Sequence, residues 1–557
     1  MLAVVFPLIS LYAQPRIFSG PEADSLFDGG FRVRWSTLSF GDSKLVYGLG
    51  ESLTDTVESA AQTKDHQFVL SGLKEGAIYA LRAYSTNIQG TSESATHYAV
   101  TLTPSSTGTI EAYFNYAVDA SPGFPEQAHG GADLGQLILG RIDQAVYSID
   151  LALYSFSDYT GAAKDVASDV ANALVAAKNR GVKVRMVYDN RANTIPVNTL
   201  ISAGIPVSKR PISGIMHNKF WVFDARDTAS ATDDWVVTGS WNMTDGGTYL
   251  DAQNAVFIQD KSLAVIYTKE FEEMFGSSTD TPDGSAARFG PQKLNNTPHR
   301  TIVGGRRVEV YFSPSDGANS IINSMLQSAG EDIFFGLLVF TRDDLGATLI
   351  ARRDAGAVVR GIINDIDAQS SEYPVLLNAG VDVLPAGNAV VSGVFHHKYA
   401  IVDPFNDASD PLVITGSHNW SSSADTDNDE NTLVIHSGPL ARQYVREFSE
   451  RFKESGGTGV IVSVEDRAEI PVRLRLSEAF PNPFNPSTSF VFSVPGKTQL
   501  SVVVYDMLGR VVDTLATGTF EAGTYRIHWS PRGASGTYYV TLQTPGTRLT
   551  RKAVLVH

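Results

Sequence analysis

Three patterns of apolar spacing divide the chain. From about residue 15 to 104, apolar residues alternate with polar ones in short runs: FRVRWSTL, KLVYGLG, HQFVLSGL, AIYALRAYSTN and THYAVTLTP. Gly, Asn, Asp and Ser separate them, which predicts an antiparallel β-sandwich. From about 476 to 557 the same period-2 pattern returns in SVVVYDMLGRVVDTL, EAGTYRIHW, SGTYYVTLQ and TRKAVLV. Pro481, Pro483 and Pro486 exclude regular structure at the entrance to that tail. Between the two, apolar strand-like runs alternate with amphipathic segments such as DVASDVANALVAAKNRG. That order predicts βαβ units and a mixed or parallel sheet covered by helices.

The middle region is duplicated. Glu111–Phe114 parallels Glu309–Phe312, and SIDLALYSFSD parallels DIFFGLLVFTRD. GVKVRMVYDN from Gly181 parallels GAVVRGIIND from Gly356, and LISAGIPV parallels LLNAGVDV. A stretch rich in Ser, Thr, Asp, Gly and Pro separates the copies. The expected organisation is 1–14, an export leader; 15–104, a sandwich; 110–275, a first half; 276–301, a linker; 302–455, a second half; and 476–557, a β-rich tail.

Composition narrows the chemistry. The 557 residues include no cysteine, which excludes disulfides, cysteine-ligated metal and a thiol nucleophile. The formal charge is −16, and most of the acidic excess falls in 111–455. No Lys/Arg run stands out, so long-range attraction to polyanions is weak, although a local patch at Arg191, Lys209 and Arg210 would favour nucleic acid. The opening MLAVVFPLISLYAQ has the apolar core of an export leader without its positive start; the alternative is a first β-strand. No other apolar run is long enough to span a membrane. The acidic run Asp425–Glu430 lacks the glycine and spacing of a calcium loop and reads as a solvated acidic loop.

The chemistry lies in two copies of His-x-Lys-x-x-x-x-Asp, MHNKFWVFD and FHHKYAIVD, giving His217, Lys219, Asp224, His396, Lys398 and Asp403. Each precedes a strand ending in TGS with Asn two residues on, which adds Ser240, Asn242, Ser417 and Asn419. In an extended segment, His and Lys two apart share a face. Two lysines and two asparagines can surround one phosphate, with the serine hydroxyls adding donors. One histidine can attack phosphorus while the other protonates the leaving oxygen. Asp224 and Asp403 fall at strand ends and fit a loop tie better than a contact with phosphorus. Trp241 and His418, between Ser and Asn, fit substrate lining or packing equally.

These paired motifs, each with its GSxN, are identified as those of the phospholipase D superfamily, covering about 110–455. The resemblance implies an α/β catalytic core of two duplicated halves, a covalent phosphohistidine and no metal or other cofactor. Both halves lie in one chain, so a monomer suffices for a complete site. It also implies that a polar residue about a dozen positions after each GSxN supports the histidine of its own motif. That would place Gln253 behind His217 and Glu430 behind His396, making His217 the neutral nucleophile and His396 the acid. Residues 15–104 resemble a fibronectin type III domain, with Trp35 in the core and Tyr79 making the corner hydrogen bond. NPFNPST, VYDMLGR, GTYYVTL and RKAVLV resemble the C-terminal sorting domain of type IX secretion cargo. This implies an exported bacterial protein, secreted or at the cell surface, handled by that machinery.

The expected activity is hydrolysis of phospholipid head-group phosphodiesters. An extracellular nuclease of the same superfamily and a catalytically dead surface binding protein are the alternatives. A hydrophobic entrance would favour lipid, and a basic one nucleic acid.

Overall fold

The computed structural model describes all residues except 1–12, 159–164, 190–193, 212, 228–229, 388–391, 461–473, 486, 521–522, 532–534 and 557. Most of the expected leader therefore lies outside the described residues. The chain forms two compact units, one of residues 1–120 and 126–460, the other of 121–125 and 461–557.

In the first unit, the N-terminal region is β-rich. Its 20-residue strand Gly30–Leu49 is central, pairing with Ile17–Phe27 along its first part, with Asp55–Leu70 along nearly its whole length and with Ile78–Asn87 along its end. Alternation buries Phe31, Val33, Trp35 and Leu45. Trp35 stacks on His66 with ring centroids 4.9 Å apart, and Tyr79 Oη accepts a hydrogen bond from the Lys74 amide at 2.8 Å. This region rests on the first half, where Ser262 Oγ donates to the Thr101 carbonyl at 2.9 Å.

The two halves repeat one mixed α/β topology. The first sheet runs, edge to edge, Val207–Lys209, Lys183–Tyr188, Ser148–Leu153, Lys219–Phe223, Trp235–Gly239, Asn254–Gln259 and Thr109–Phe114. The second runs Asp382–Pro385, Val358–Ile363, Asp332–Leu337, Lys398–Val402, Leu412–Gly416, Glu430–His436 and Arg306–Ser313 in the same order. In each, three parallel strands meet an antiparallel block at the motif strand. Burial on both faces explains the nearly unbroken apolar runs. The second sheet gains an edge strand, Arg300–Val303, which the sequence assigns partly to the linker. Each half closes with a long helix, Lys261–Phe275 capped by Asp260 and Gly438–Glu454 capped by Ser437. The side-chain oxygen of each cap accepts an amide of the first turn.

The second unit is a β-sandwich. Three strands, Arg475–Leu476, Thr488–Val494 and Gly523–Trp529, form one sheet. Val511–Phe520, Thr498–Tyr505, Gly536–Gln543 and Arg548–Leu555 form the other. Phe490, Phe492, Val502, Val504, Val540 and Leu542 fill its core. Among the described residues, no helix is long and apolar enough to cross a membrane.

Candidate active site

Both motifs enter the site in extended backbone just before a central strand. Lys219 opens Lys219–Phe223 opposite Leu153, and Lys398 opens Lys398–Val402 opposite Leu337. Before those strands begin, each motif pairs with the other half. The His217 amide donates to the Asp429 carbonyl at 2.9 Å, and the His396 amide donates to the Ala252 carbonyl at 3.0 Å. Met216 bridges Asp429, and Phe395 bridges Ala252. The TGS turns approach equally closely. A Cβ on Gly239 would lie 2.4 Å from the Asn254 carbonyl oxygen, and one on Gly416 2.2 Å from that of Asn431. Only glycine fits there, and the positive φ of both residues (148° and 137°) adds to the requirement.

This crossing overturns the expected support of the histidines. Glu430 stands behind His217, with Oε2 2.8 Å from Nδ1. Gln253 stands behind His396, with Oε1 3.0 Å from Nδ1. The physical reason is the pairing above: the segment carrying Glu430 runs beside the first motif, and the segment carrying Gln253 beside the second. Ser417 Oγ donates to Glu430 Oε2 at 2.7 Å, and Ser240 Oγ to Gln253 Oε1 at 2.8 Å. These serines thus hold the histidine supports.

The four motif side chains form one electrostatic unit. Burial, then the charges of both lysines, holds His217 and His396 well below the ordinary imidazole range. Burial pulls Lys219 down to about 7, against the attraction of Glu430 and Asp189. Burial and then Lys219 hold Lys398 well below the usual lysine range, while burial raises Glu430. A phosphate anion in contact with these groups would oppose each of these downward shifts of the histidines and lysines. Lys219 Nζ and Lys398 Nζ donate to the carbonyls of His217 and His396, each at 2.8 Å. Asn242 Nδ2 lies 3.5 Å from His396 Nε2. The buried Oδ1 atoms of Asn242 and Asn419 have no hydrogen-bond partner among the described residues.

Tyr154 was not anticipated. Its ring meets the edge of His217 at a centroid separation of 4.6 Å and lies 5.0 Å from Lys219 Nζ. The duplication contained the signal, since SIDLALY places Tyr154 where DIFFGLL has Leu338.

Asp224 and Asp403 do other work. Asp224 Oδ1 accepts the amides of Val146, Tyr147 and Ser148, while Asp403 accepts those of Gly330, Glu331 and Asp332. Both have left-handed backbone, with φ of 58° and 47°. They tie the turn after each motif strand to the start of its neighbour. Trp241 packs in the first half's core, with Nε1 donating to Thr248 Oγ1 at 3.0 Å. His418 is buried, with Nδ1 3.0 Å from Ser313 Oγ, and burial pulls it down to about 4.

Two charge readings change. Arg210 cannot belong to a basic surface patch: it is fully buried, paired with Asp429, and donates to the carbonyls of Ser213, Ile215 and Asp427. Arg191 lies outside the described residues, and Lys209 is exposed. Nor is Asp425–Glu430 a solvated loop, because Asn428, Asp429 and Glu430 are buried between the halves. Among the described residues, Asp158, Asp165 and Asp245 form the one cluster with metal-like spacing. Asp158 and Asp245 accept the first amides of the helix Val166–Asn179, a sufficient reason for their grouping.

A family model described as "Cardiolipin synthase, PLD-like domain" matches residues 138–275 and 322–452. The secretion system C-terminal sorting domain matches residues 478–556, marking export to the cell surface or extracellular space. Mitochondrial cardiolipin hydrolase of Xenopus laevis is 30% identical over 161 residues, 28% of this chain and 67% of that protein. The Xenopus tropicalis protein of the same name is 30% identical over 155 residues, 27% of this chain and 64% of that protein. Phospholipase D of Rickettsia felis is 30% identical over 139 residues, 24% of this chain and 61% of that protein. The Xenopus tropicalis and Rickettsia felis proteins are thus spanned over less than two thirds of their length. Two matched halves, each bringing a His–Lys pair to one buried site, lead to a plain conclusion: the chain belongs to the phospholipase D superfamily.

Proposed function

We propose that this exported protein is a phosphodiesterase that hydrolyses phospholipid head-group esters through a phosphohistidine on His217. The contact between His217 Nδ1 and Glu430 Oε2 carries the reading. With its proton held at Nδ1, neutral His217 turns the Nε2 lone pair toward phosphorus. Attack makes the ring cationic, and the carboxylate behind it stabilises that charge. His217 thus remains the nucleophile, for a reason opposite to the one the sequence offers: the attacking ring needs the anion.

His396 protonates the departing alcohol, then takes a proton from the water that cleaves the N–P bond. Two in-line displacements retain configuration at phosphorus. Lys219, Lys398, Asn242 and Asn419 contact the phosphoryl oxygens, and the lysines supply the positive charge. Serving both steps, His396 gains its proton when the anionic substrate offsets the lysines.

Two exposed apolar side chains close to the second motif fit a lipid substrate. Leu250 and Val394 are 48% and 39% exposed, and the Gly393 amide donates to the Leu250 carbonyl at 2.8 Å. Burial of Arg210 removes one cation from the patch that would favour nucleic acid. The names of the relatives, cardiolipin hydrolase and phospholipase D, point the same way.

The test is purified protein on phosphatidylcholine liposomes and on plasmid DNA, both with EDTA. Choline release that His217→Ala abolishes is expected. Plasmid nicking without choline release would favour the nuclease, and neither activity would favour a binding protein.

A further inference from the structure

The two histidines differ in what backs them. A carboxylate can only accept, so Glu430 presents oxygen to His217 in either orientation. Nδ1 of His396 faces two oxygens, the Ser240 carbonyl at 3.1 Å and Gln253 Oε1 at 3.0 Å; the carbonyl is fixed, but the amide of Gln253 has two faces, and only its oxygen suits a protonated Nδ1. Something must decide which face turns inward.

A hydrogen-bond chain behind the second motif provides that direction. Ser240 Oγ accepts the Asn254 amide at 3.0 Å and Asn254 Nδ2 at 3.3 Å, which occupies its lone pairs. Its own proton therefore goes to Gln253 Oε1 at 2.8 Å, and a turned amide would bring a third donor with nowhere to bind. This holds only while Asn254 points its nitrogen at Ser240. Asn254 Nδ2 also lies 2.9 Å from Nδ1 of His397, the middle residue of the second motif, while Asn254 Oδ1 accepts from Thr415 Oγ1 at 3.0 Å. His397 Nδ1 can accept only if the ring proton sits on Nε2. That nitrogen lies 3.0 Å from Glu447 Oε1, where a lone pair would face a carboxylate. Glu447 thus sets His397, which sets Asn254, then Ser240 and Gln253. All five are fully or almost fully buried.

The first half shows that the geometry matters more than the imidazole. There Asn218 replaces His397, and its Oδ1 accepts Asn431 Nδ2 at 3.0 Å. Ser417 then accepts from Asn431 and donates to Glu430. An asparagine suffices where the end of the chain is a carboxylate.

We propose that His397 and Glu447 are positioning residues for His396, holding the Gln253 oxygen against its Nδ1 through Asn254 and Ser240. The proposal rests on His396 as the acid of the proposed reaction.

The test compares His397→Asn, which keeps an acceptor toward Asn254, with His397→Leu, which removes it, in the full chain. Expected are kcat within about threefold of the parent for the first and about tenfold lower for the second, with KM unchanged in both. Imidazole 1H–15N spectra supply a readout independent of turnover: the His396 Nδ1–H resonance should be the same in the parent and in His397→Asn, and should move upfield in His397→Leu, where the Ser240 carbonyl alone still accepts it. Glu447→Gln should reproduce the leucine spectrum if it folds. Equal kcat and equal His396 spectra for the two His397 variants would overturn the proposal. So would a proton on His397 Nδ1 in the parent. If His396 is not the acid, the spectra still report on the chain while the kcat differences vanish.

Discussion

Nδ1 of His217 lies 2.8 Å from Oε2 of Glu430, a carboxylate supplied by the opposite half of the core. The histidine proposed as nucleophile is therefore supported from the other half, and the site depends on the two halves staying in register. Glu430→Gln keeps the shape and removes the charge that stabilises a phosphorylated ring. A loss in kcat of about 10²-fold is expected, within the range for acid–base support, with KM little changed. Steady-state kinetics on a soluble aryl phosphodiester measures it.

Burial of the two lysines opposes their charge. Lys219 is pulled from its ordinary 10.5 to about 7 by burial. A pKa lowered in the folded state favours unfolding wherever the lysine would otherwise be charged. The penalty is full below pH 7 and fades as pH rises toward 10.5. Lys219→Met should abolish activity, and its stability relative to the parent should be greater at pH 6 than at pH 9. Denaturant melts at both pH values check this, and inorganic phosphate should stabilise the parent but not the variant.

The pH profile of kcat/KM follows from the same groups. In the proposed reaction His217 attacks as the neutral ring, and burial with the two lysines holds its pKa well below the ordinary 6.5. The acid limb should therefore lie below pH 6.5. In the proposed reaction Lys219 works charged, so an alkaline limb is expected no higher than about pH 7. Glu430 holds the Lys219 pKa up, so Glu430→Gln should move the alkaline limb to lower pH.

Asp224 and Asp403 should report on folding before chemistry. Asp224→Ala leaves three amides without their acceptor, at a cost of roughly 3 kcal/mol. Asp224→Asn, which retains an oxygen, should lose less. Thermal melts of both variants, with turnover corrected for the folded fraction, separate this from a role at phosphorus.

The duplication of the core and both His–Lys pairs were legible because their signals are local. Periodicity fixes which face a residue takes, and the spacing of each motif to its TGS turn fixes the strand pair. The partner of each histidine was not legible. Gln253 and Glu430 occupy equivalent registers, and nothing in either segment says whether it folds beside its own motif or the other. That choice belongs to the packing of one half on the other, seen in the Met216–Asp429 and Phe395–Ala252 bridges. Arg210 failed for a related reason: a cation next to a lysine reads as surface until its burial partner Asp429 is brought from far along the chain.

The most direct test is the site of the covalent intermediate. His396→Asn, lacking the group that activates water, should accumulate phosphorylated enzyme when mixed with a diester, and peptide mapping should place the phosphoryl group on His217. A phosphoryl group on His396 in the parent, or an adduct still formed by His217→Asn, would contradict the account.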